Sequence, residues 1–303
     1  EDNSINPFFE IVDTSYGGLC GMSWFNVQDF NQDNNLELAC QSLMSNNQIQ
    51  IYDIFNDEFD LMGTVIDSNG SPIISDASMV PTFADIDSDG DLDFFTGNVI
   101  GTVTYYENMG MDNGMPFFQL ISFEWQNIWI VGPSRHGASA ITFIDFDLDG
   151  DLDLFLLDAS GYLRYIENQG TASAPDFHLI TVSYQDIFCR GWFYFADYDF
   201  DGDLDLAAQN GDDPDHISYF HNSGPELSFT EVLTAIGGGY VTSSSVMTPT
   251  FADIDGDGDL DFFTGNMVGT LTYYENTGLS NGIPQFEFIT DSWQDIYIIG
   301  GTR

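Results

Sequence analysis

Five aspartates occupy alternate positions from Asp85 to Asp93 in the string FADIDSDGDLDFF, with apolar residues on both sides. Carboxylates packed this densely repel one another unless a cation lies among them. Numbered from Asp85, acids fall at positions 1, 3, 5, 7 and 9, and Gly90 is at position 6. Hard oxygen donors at 1, 3 and 5, a tight turn at 6 and an acid at 9 suit Ca²⁺, which takes about 6–8 oxygens at about 2.3–2.6 Å. An EF-hand is excluded. It needs a bidentate Glu at position 12, where this chain has Cys40, Thr96, Leu156, Ala208 or Thr264, and its flanks must be helical.

The string recurs. Acidic motifs begin at Asp29, Asp85, Asp145, Asp197 and Asp253, in steps of 56, 60, 52 and 56 residues. A longer period overlies this one: residues 81–108 and 249–276 differ at only four positions, at an offset of 168. Trp24 and Trp192, and Pro7 and Pro175, obey the same offset. The chain is a duplicated three-repeat block in which 33 residues, equivalent to 136–168, have no second copy. The expectation is five blades plus a leftover strand: 1–19 leftover, then 20–76, 77–135, 136–188, 189–243 and 244–303, all in one repeat domain.

Each repeat carries short strands to hold its loop. In the second repeat these are 80–86, 92–97, 101–108 and 117–123, rich in Val, Ile, Phe, Tyr and Thr. Asn113-Gly114 and Asn281-Gly282 mark hairpin turns that want positive φ. No helix-period segment of about ten residues stands out. Four short strands per repeat predict an all-β fold, a β-propeller-type array of four-stranded blades with the acidic loop between the first two strands. A linear stack of such sheets is the competing geometry.

The motif Asp-x-Asp-x-Asp-Gly-x-x-Asp, followed by a GTxxYYEN-like strand, resembles the FG-GAP and VCBS-type calcium-binding repeats related to the propeller of integrin α chains. YIENQGTASAPDF, residues 165–177, is especially VCBS-like. The resemblance spans nearly the whole chain. It implies one Ca²⁺ per loop, bound by side chains at positions 1, 3, 5 and 9 and the backbone carbonyl of position 7. The implied second site is Asp85, Asp87, Asp89 and Asp93 with the Asp91 carbonyl. The third is Asp145, Asp147, Asp149 and Asp153 with the Asp151 carbonyl. The fourth is Asp197, Asp199, Asp201 and Asp205 with the Asp203 carbonyl, and the fifth is Asp253, Asp255, Asp257 and Asp261 with the Asp259 carbonyl. The first loop departs from the pattern: Asp29, Asn31, Asp33, Asn35 and Glu37, with Asn34 in the glycine position. Asn tolerates the left-handed backbone, so this loop should bind, more weakly. The ions are read as structural, since every loop pins the same hairpin.

Composition limits the partners. The 303 residues include 49 acids, four arginines and no lysine, a net charge of −45, yet 43% are hydrophobic. Such a chain folds, and its field repels nucleic acid and anionic membranes. Five Ca²⁺ would leave about −35, which suits a saline, calcium-rich extracellular setting. No apolar run reaches membrane-spanning length. The sequon Asn69-Gly70-Ser71 matters only in a glycosylating secretory pathway. Cys20 and Cys40 either pair across a hairpin or, like Cys189, are buried thiols.

Catalytic signatures are lacking: there is no nucleophile elbow and no phosphate loop. His136, His178, His216 and His221 are scattered without zinc spacing, and a structural role is the reading for each. Asp212, Asp213, Asp215 and His216 form an acidic turn, either a second cation site or, preferred, a solvated loop. Trp125, Trp129 and Trp293 either stack on sugars or, preferred, pack between blades, as Trp24 and Trp192 should. The expectation is a secreted or cell-surface, non-enzymatic calcium-binding protein with a structural or adhesive role. The interrupted repeat phase suggests head-to-tail joining of chains by strand addition, with surface glycans or proteins as other partners. The alternatives are a carbohydrate-binding propeller and an accessory domain of a larger secreted enzyme.

Overall fold

Alternation of apolar residues on both faces of each strand gives sheets that must be covered on both sides. The computed structural model describes residues 22–42, 45–55, 58–75, 81–97, 102–128, 141–157, 160–213, 216–222, 229–233, 235–236, 239–240, 249–266 and 269–295. Two compact units divide at Gln185.

The first unit holds three blades. Blade one is β1 (Met22–Gln28), β2 (Glu37–Ser42), β3 (Gln48–Phe55) and β4 (Glu58–Thr64). A two-residue strand, β5 (Ile66–Asp67), precedes blade two: β6 (Thr82–Ala84), β7 (Asp93–Gly97), β8 (Val103–Asp112) and β9 (Met115–Ser122). Blade three is β10 (Ile141–Ile144), β11 (Asp153–Leu157), β12 (Leu163–Asn168) and β13 (Phe177–Thr181). Every blade is an antiparallel meander in chain order, and β5 adds a parallel strand to the outer edge of β9.

The second unit holds two blades of the same kind. Blade four is β14 (Cys189–Ala196), β15 (Asp205–Asn210), β16 (Ile217–Asn222) and β17 (Phe229–Leu233). A small pair follows, β18 (Ala235–Ile236) with β19 (Gly239–Tyr240). Blade five is β20 (Thr250–Ala252), β21 (Asp261–Gly265), β22 (Leu271–Ser280) and β23 (Ile283–Thr290). The fold is all-β, of the β-propeller type, with four-stranded antiparallel blades. The Asn-Gly hairpins form as their chemistry demands: Asn113 and Gly114 have φ of 53° and 80°, and Asn281 and Gly282 have 56° and 77°.

Blades stack through their faces. Phe94 and Phe95 are adjacent in β7 and point to opposite sides. Phe94 joins Trp24, Ile49 and Ile51 of blade one, whereas Phe95 joins Ile141, Leu154 and Leu156 of blade three. In the second unit Trp192, Ala207 and Tyr219 pack on Phe262, Tyr274 and Phe286. The tryptophans therefore fill cores. Trp125 is buried against Phe95, Tyr105 and Phe177, and Trp293 packs on Phe263. Trp129 lies outside the described residues.

Sequence reading missed one recurrent device. A 3-10 turn follows the outer strand at Trp125–Asn127, Tyr184–Asp186 and Trp293–Asp295, with Gln126, Gln185 and Gln294 left-handed at its centre. The turn lays its aromatic residue on the stacked Phe–Tyr pair of its own blade: Trp125 on Phe95–Tyr105, Tyr184 on Phe155–Tyr165, Trp293 on Phe263–Tyr273. Cys40 is a buried free thiol, pushed up to about 11 by burial, and Cys189 is also buried; Cys20 lies outside the described residues. Asn69 is exposed in a turn where its N–H and that of Ser71 donate to Asp67.

Candidate metal centre

Each acidic loop spans the first and second strands of its blade, for example between β6 and β7. Its backbone is held by its own carboxylates. The N–H of position 6 donates to the position-1 carboxylate: Asn34 to Asp29 at 2.9 Å, Gly90 to Asp85 at 3.0 Å, Gly202 to Asp197 and Gly258 to Asp253 at 3.1 Å. The N–H of position 7 donates to position 5 in all five loops, at 2.8–3.1 Å. These bonds hold the carboxylates of positions 1 and 5 against the loop's own backbone.

Two positions per loop are left-handed. Position 6 has φ of 68° at Asn34, 95° at Gly90 and Gly150, 97° at Gly202 and 100° at Gly258. Position 4 is left-handed as well: Gln32 at 63°, Ser88 at 56°, Leu148 at 61°, Phe200 at 60° and Gly256 at 78°. Leu148 and Phe200 are 65% and 52% exposed, so packing does not compensate a conformation that costs a side chain about 1–2 kcal/mol. Leu148→Gly should therefore stabilise the chain by about 0.5–1 kcal/mol in chemical denaturation. A loss of stability would show that the leucine is held by a contact instead.

The clusters come together as the spacing predicts. Donor oxygens of Asp85, Asp87 and Asp89 lie within 4.8 Å of one another, as do those of Asp145, Asp147 and Asp149, and of Asp197, Asp199 and Asp201. In the first loop the group is Asp29, Asp33 and Glu37. The amides of Asn31 and Asn35 turn their nitrogens to these acids: Asn31 Nδ2 donates to Glu37 Oε1 at 3.2 Å, and Asn35 Nδ2 to Asp33 Oδ1 at 2.8 Å. Asp253, Asp255 and Asp257 carry the same internal bonds in the fifth loop. The first two loops are also tied together, since Gln32 donates to the Gly90 carbonyl at 2.7 Å and to the Asp91 carboxylate.

Position 9 opens the second strand and is the buried anchor. Asp93, Asp153, Asp205 and Asp261 are at most 2% exposed, and Glu37 is fully buried. One oxygen accepts the N–H of the strand-three asparagine at 2.8 Å, from Asn108, Asn168, Asn222 or Asn276. The other accepts a tyrosine hydroxyl: Tyr105 at 3.2 Å, Tyr165 at 3.0 Å, Tyr219 at 2.7 Å and Tyr273 at 3.3 Å. The YYEN strand thus clamps the acid that closes the loop. In Glu37 the clamp is replaced by the N–H of Phe30, at 2.8 Å.

Electrostatics fit a bound cation. Burial, opposed by these hydrogen bonds and reinforced by neighbouring aspartates, pushes Asp93 and Asp153 up to about 7 and Asp261 up to about 6. Burial and then adjacent aspartates raise Asp91 and Asp259, and take Asp203 to about 6. Asp145 Oδ1, Asp151 Oδ1, Asp197 Oδ1 and Asp203 Oδ1 are buried without a hydrogen-bond partner. Buried carboxylate oxygens without donors need a cation or a proton. The donor set therefore suits a hard divalent ion. Position 7 contributes a buried side chain in the third loop, Asp151, and a half-buried one in the fourth, Asp203, where the resemblance implies a role only for the carbonyl.

Of the remaining candidates, His216 pairs with Asp213 at 2.7 Å, and Asp212 and Asp213 are exposed; Asp215 lies outside the described residues. His178 pairs with Asp176 at 3.1 Å. His136 lies outside the described residues. His221 is not scattered: it enters the fourth loop, 3.3 Å from both Asp199 and Asp205, because the β15–β16 register places it opposite Asp205.

Comparison with known families agrees with this geometry. The family model of the FG-GAP-like repeat matches residues 85–156, 145–208 and 197–264, which together cover more than half of the chain. The chain belongs to the FG-GAP-like repeat family. Each matched segment runs from position 1 of one acidic loop to position 12 of the next, so the FG-GAP-like unit is phased on these loops. A search of curated proteins returns no match. Among solved structures, this FG-GAP-like chain is similar to an Agrocybe aegerita lectin, described for specific recognition of non-reducing terminal N-acetylglucosamine. The TM-score is 0.50 at 16% identity, over 88% of this chain and 66% of the lectin chain, so slightly less than two thirds of that structure is spanned. The likeness is one of fold.

Proposed function

We propose that the acidic loops bind Ca²⁺, about one per repeat, and that the ions rigidify a non-enzymatic extracellular scaffold with a structural or adhesive role. The observation that carries this reading is the buried position-9 acid. It is bonded to the third strand, and its folded, metal-free state is penalised by its own charge. A cation there joins the acidic loop of a clamped blade to its first three strands at once. No helix among the described residues is long and apolar enough to cross a membrane. Hydrogen exchange tests the proposal: the amides of Asn108, Asn168 and Asn276 should gain protection on adding Ca²⁺. Unchanged exchange in saturating Ca²⁺ would refute it.

Partners follow from the blade edges. Leu179, Ile180, Phe288 and Ile289 are 43–56% exposed on the outer strands β13 and β23. The pairing of β5 onto β9 illustrates how such an edge takes an added strand. We propose strand addition between copies of the chain, or docking of surface proteins. Electron microscopy in Ca²⁺ should then give filaments or sheets; discrete monomers would remove self-assembly from the account.

A carbohydrate-binding reading has its own support. In the second unit a small cleft is lined by Asp186, Phe188, Asn210, Asp212 and Phe229, a mixture of amide, carboxylate and aromatic groups suited to sugar hydroxyls and ring faces. A glycan array in Ca²⁺ with no hit would discard it.

A further inference from the structure

The fourth repeat differs from the others where strand three faces the loop. Registers place Asp53 opposite Glu37, Glu107 opposite Asp93, Glu167 opposite Asp153 and Glu275 opposite Asp261. In blade four that position is His221, opposite Asp205. Its Nδ1 lies 3.3 Å from Asp205 Oδ1 and 3.3 Å from Asp199 Oδ2, and the two carboxylates are 0% and 5% exposed. The three donors lie within 4.8 Å of one another. Independently, Asp197 Oδ1 and Asp203 Oδ1 of the same loop are buried with no hydrogen-bond partner.

We propose that the fourth loop is a mixed imidazole–carboxylate site that selects a first-row transition dication of the Zn²⁺ class over Ca²⁺. The inference rests on the reading of the acidic loops as cation sites. Ca²⁺ takes oxygen donors, whereas imidazole nitrogen suits Zn²⁺, Ni²⁺ and Cu²⁺. Tetrahedral Zn²⁺ with bonds of about 2.0–2.1 Å sets its donors about 3.3 Å apart, the spacing found around Nδ1. The dication takes the nitrogen lone pair of the neutral imidazole. A neutral imidazole where the other blades carry an acid also lowers the negative charge beside the loop, which weakens its hold on Ca²⁺.

The test uses the full chain, stripped by chelator and returned to excess Ca²⁺ with one equivalent of Zn²⁺ or Co²⁺. Bound metals are counted after gel filtration, and the Co²⁺ visible spectrum reports nitrogen ligation. The parent chain should retain about one transition ion against Ca²⁺. His221→Glu, which restores the acid of the other blades, should lose it and bind one more Ca²⁺. His221→Gln should lose it without that gain, and His216→Gln should retain it. A parent chain that retains no transition ion, or a His221→Glu chain that retains it unchanged, would overturn the proposal; so would its loss in His216→Gln. Retained Zn²⁺ with no Ca²⁺ in the same sample would sink the calcium reading of the other loops and leave this one standing. Bound Ca²⁺ without Zn²⁺ would do the reverse.

Discussion

Removing divalent cations at pH 8 will lower the thermal midpoint of the chain by tens of degrees, and returning Ca²⁺ will restore it. A ligand at about 100 times its dissociation constant stabilises the folded state by about 2.7 kcal/mol per site. For units of this size each kcal/mol moves the midpoint by about 2–4 °C, so each filled loop adds roughly 5–10 °C. Three loops lie in the first unit and two in the second. Scanning calorimetry in chelator should therefore resolve two transitions, both moved upward by Ca²⁺. The first loop contributes least, because its amides already occupy Asp33 and Glu37. A shift below about 5 °C would mean that the loops are self-sufficient turns.

Asp93→Asn will have opposite effects with and without Ca²⁺. Asp93 is buried and pushed up to about 7, so in the metal-free fold its charge is unfavourable at pH 8. A raised carboxylate pKa gives stability that is present below the ordinary value near 3.8 and is lost as pH rises through about 7. Asparagine keeps the acceptor for the Asn108 N–H and can donate to the Tyr105 hydroxyl, without the charge. In chelator at pH 8 the variant should be more stable than the parent by roughly 2–4 kcal/mol. In Ca²⁺ the order should reverse, because the loop has lost a charged ligand. The same sign governs pH. The metal-free parent should weaken from pH 4 to 7, and the gain from Ca²⁺ should grow over that window. Denaturant melts of both chains, in chelator and in Ca²⁺ at three pH values, measure all of this. A variant less stable than the parent in both conditions would show that Asp93 acts only as a structural hydrogen-bond acceptor.

Much of the architecture was legible because function and fold share one pattern. The alternating acids located the loop, and the strands on either side of Asp85–Asp93 fall where their β-branched and aromatic residues put them. Conformation without a compositional mark was not legible. Left-handed Leu148 and Phe200 carry no glycine signal, and only Gly256 at the same position in the fifth loop hints at it. The clamp on position 9 was partly encoded. A tyrosine follows the acid by 12 residues in three blades and by 14 in the fourth, but its target is set by register. The surroundings of His221 were hidden for the same reason, since Asp199 and Asp205 are distant in sequence and come near it only in the fold. The Trp125 and Trp293 turns were seen as aromatic residues and not as turns, because the left-handed residue inside each is a glutamine.

The most direct measurement is anomalous diffraction from crystals grown in Ca²⁺. The account predicts a calcium peak inside each of the loops 85–93, 145–153 and 253–261, in contact with the position-9 aspartate. Loops free of anomalous density, with Asp93, Asp153 and Asp261 bonded only to their asparagine and tyrosine partners, would contradict it.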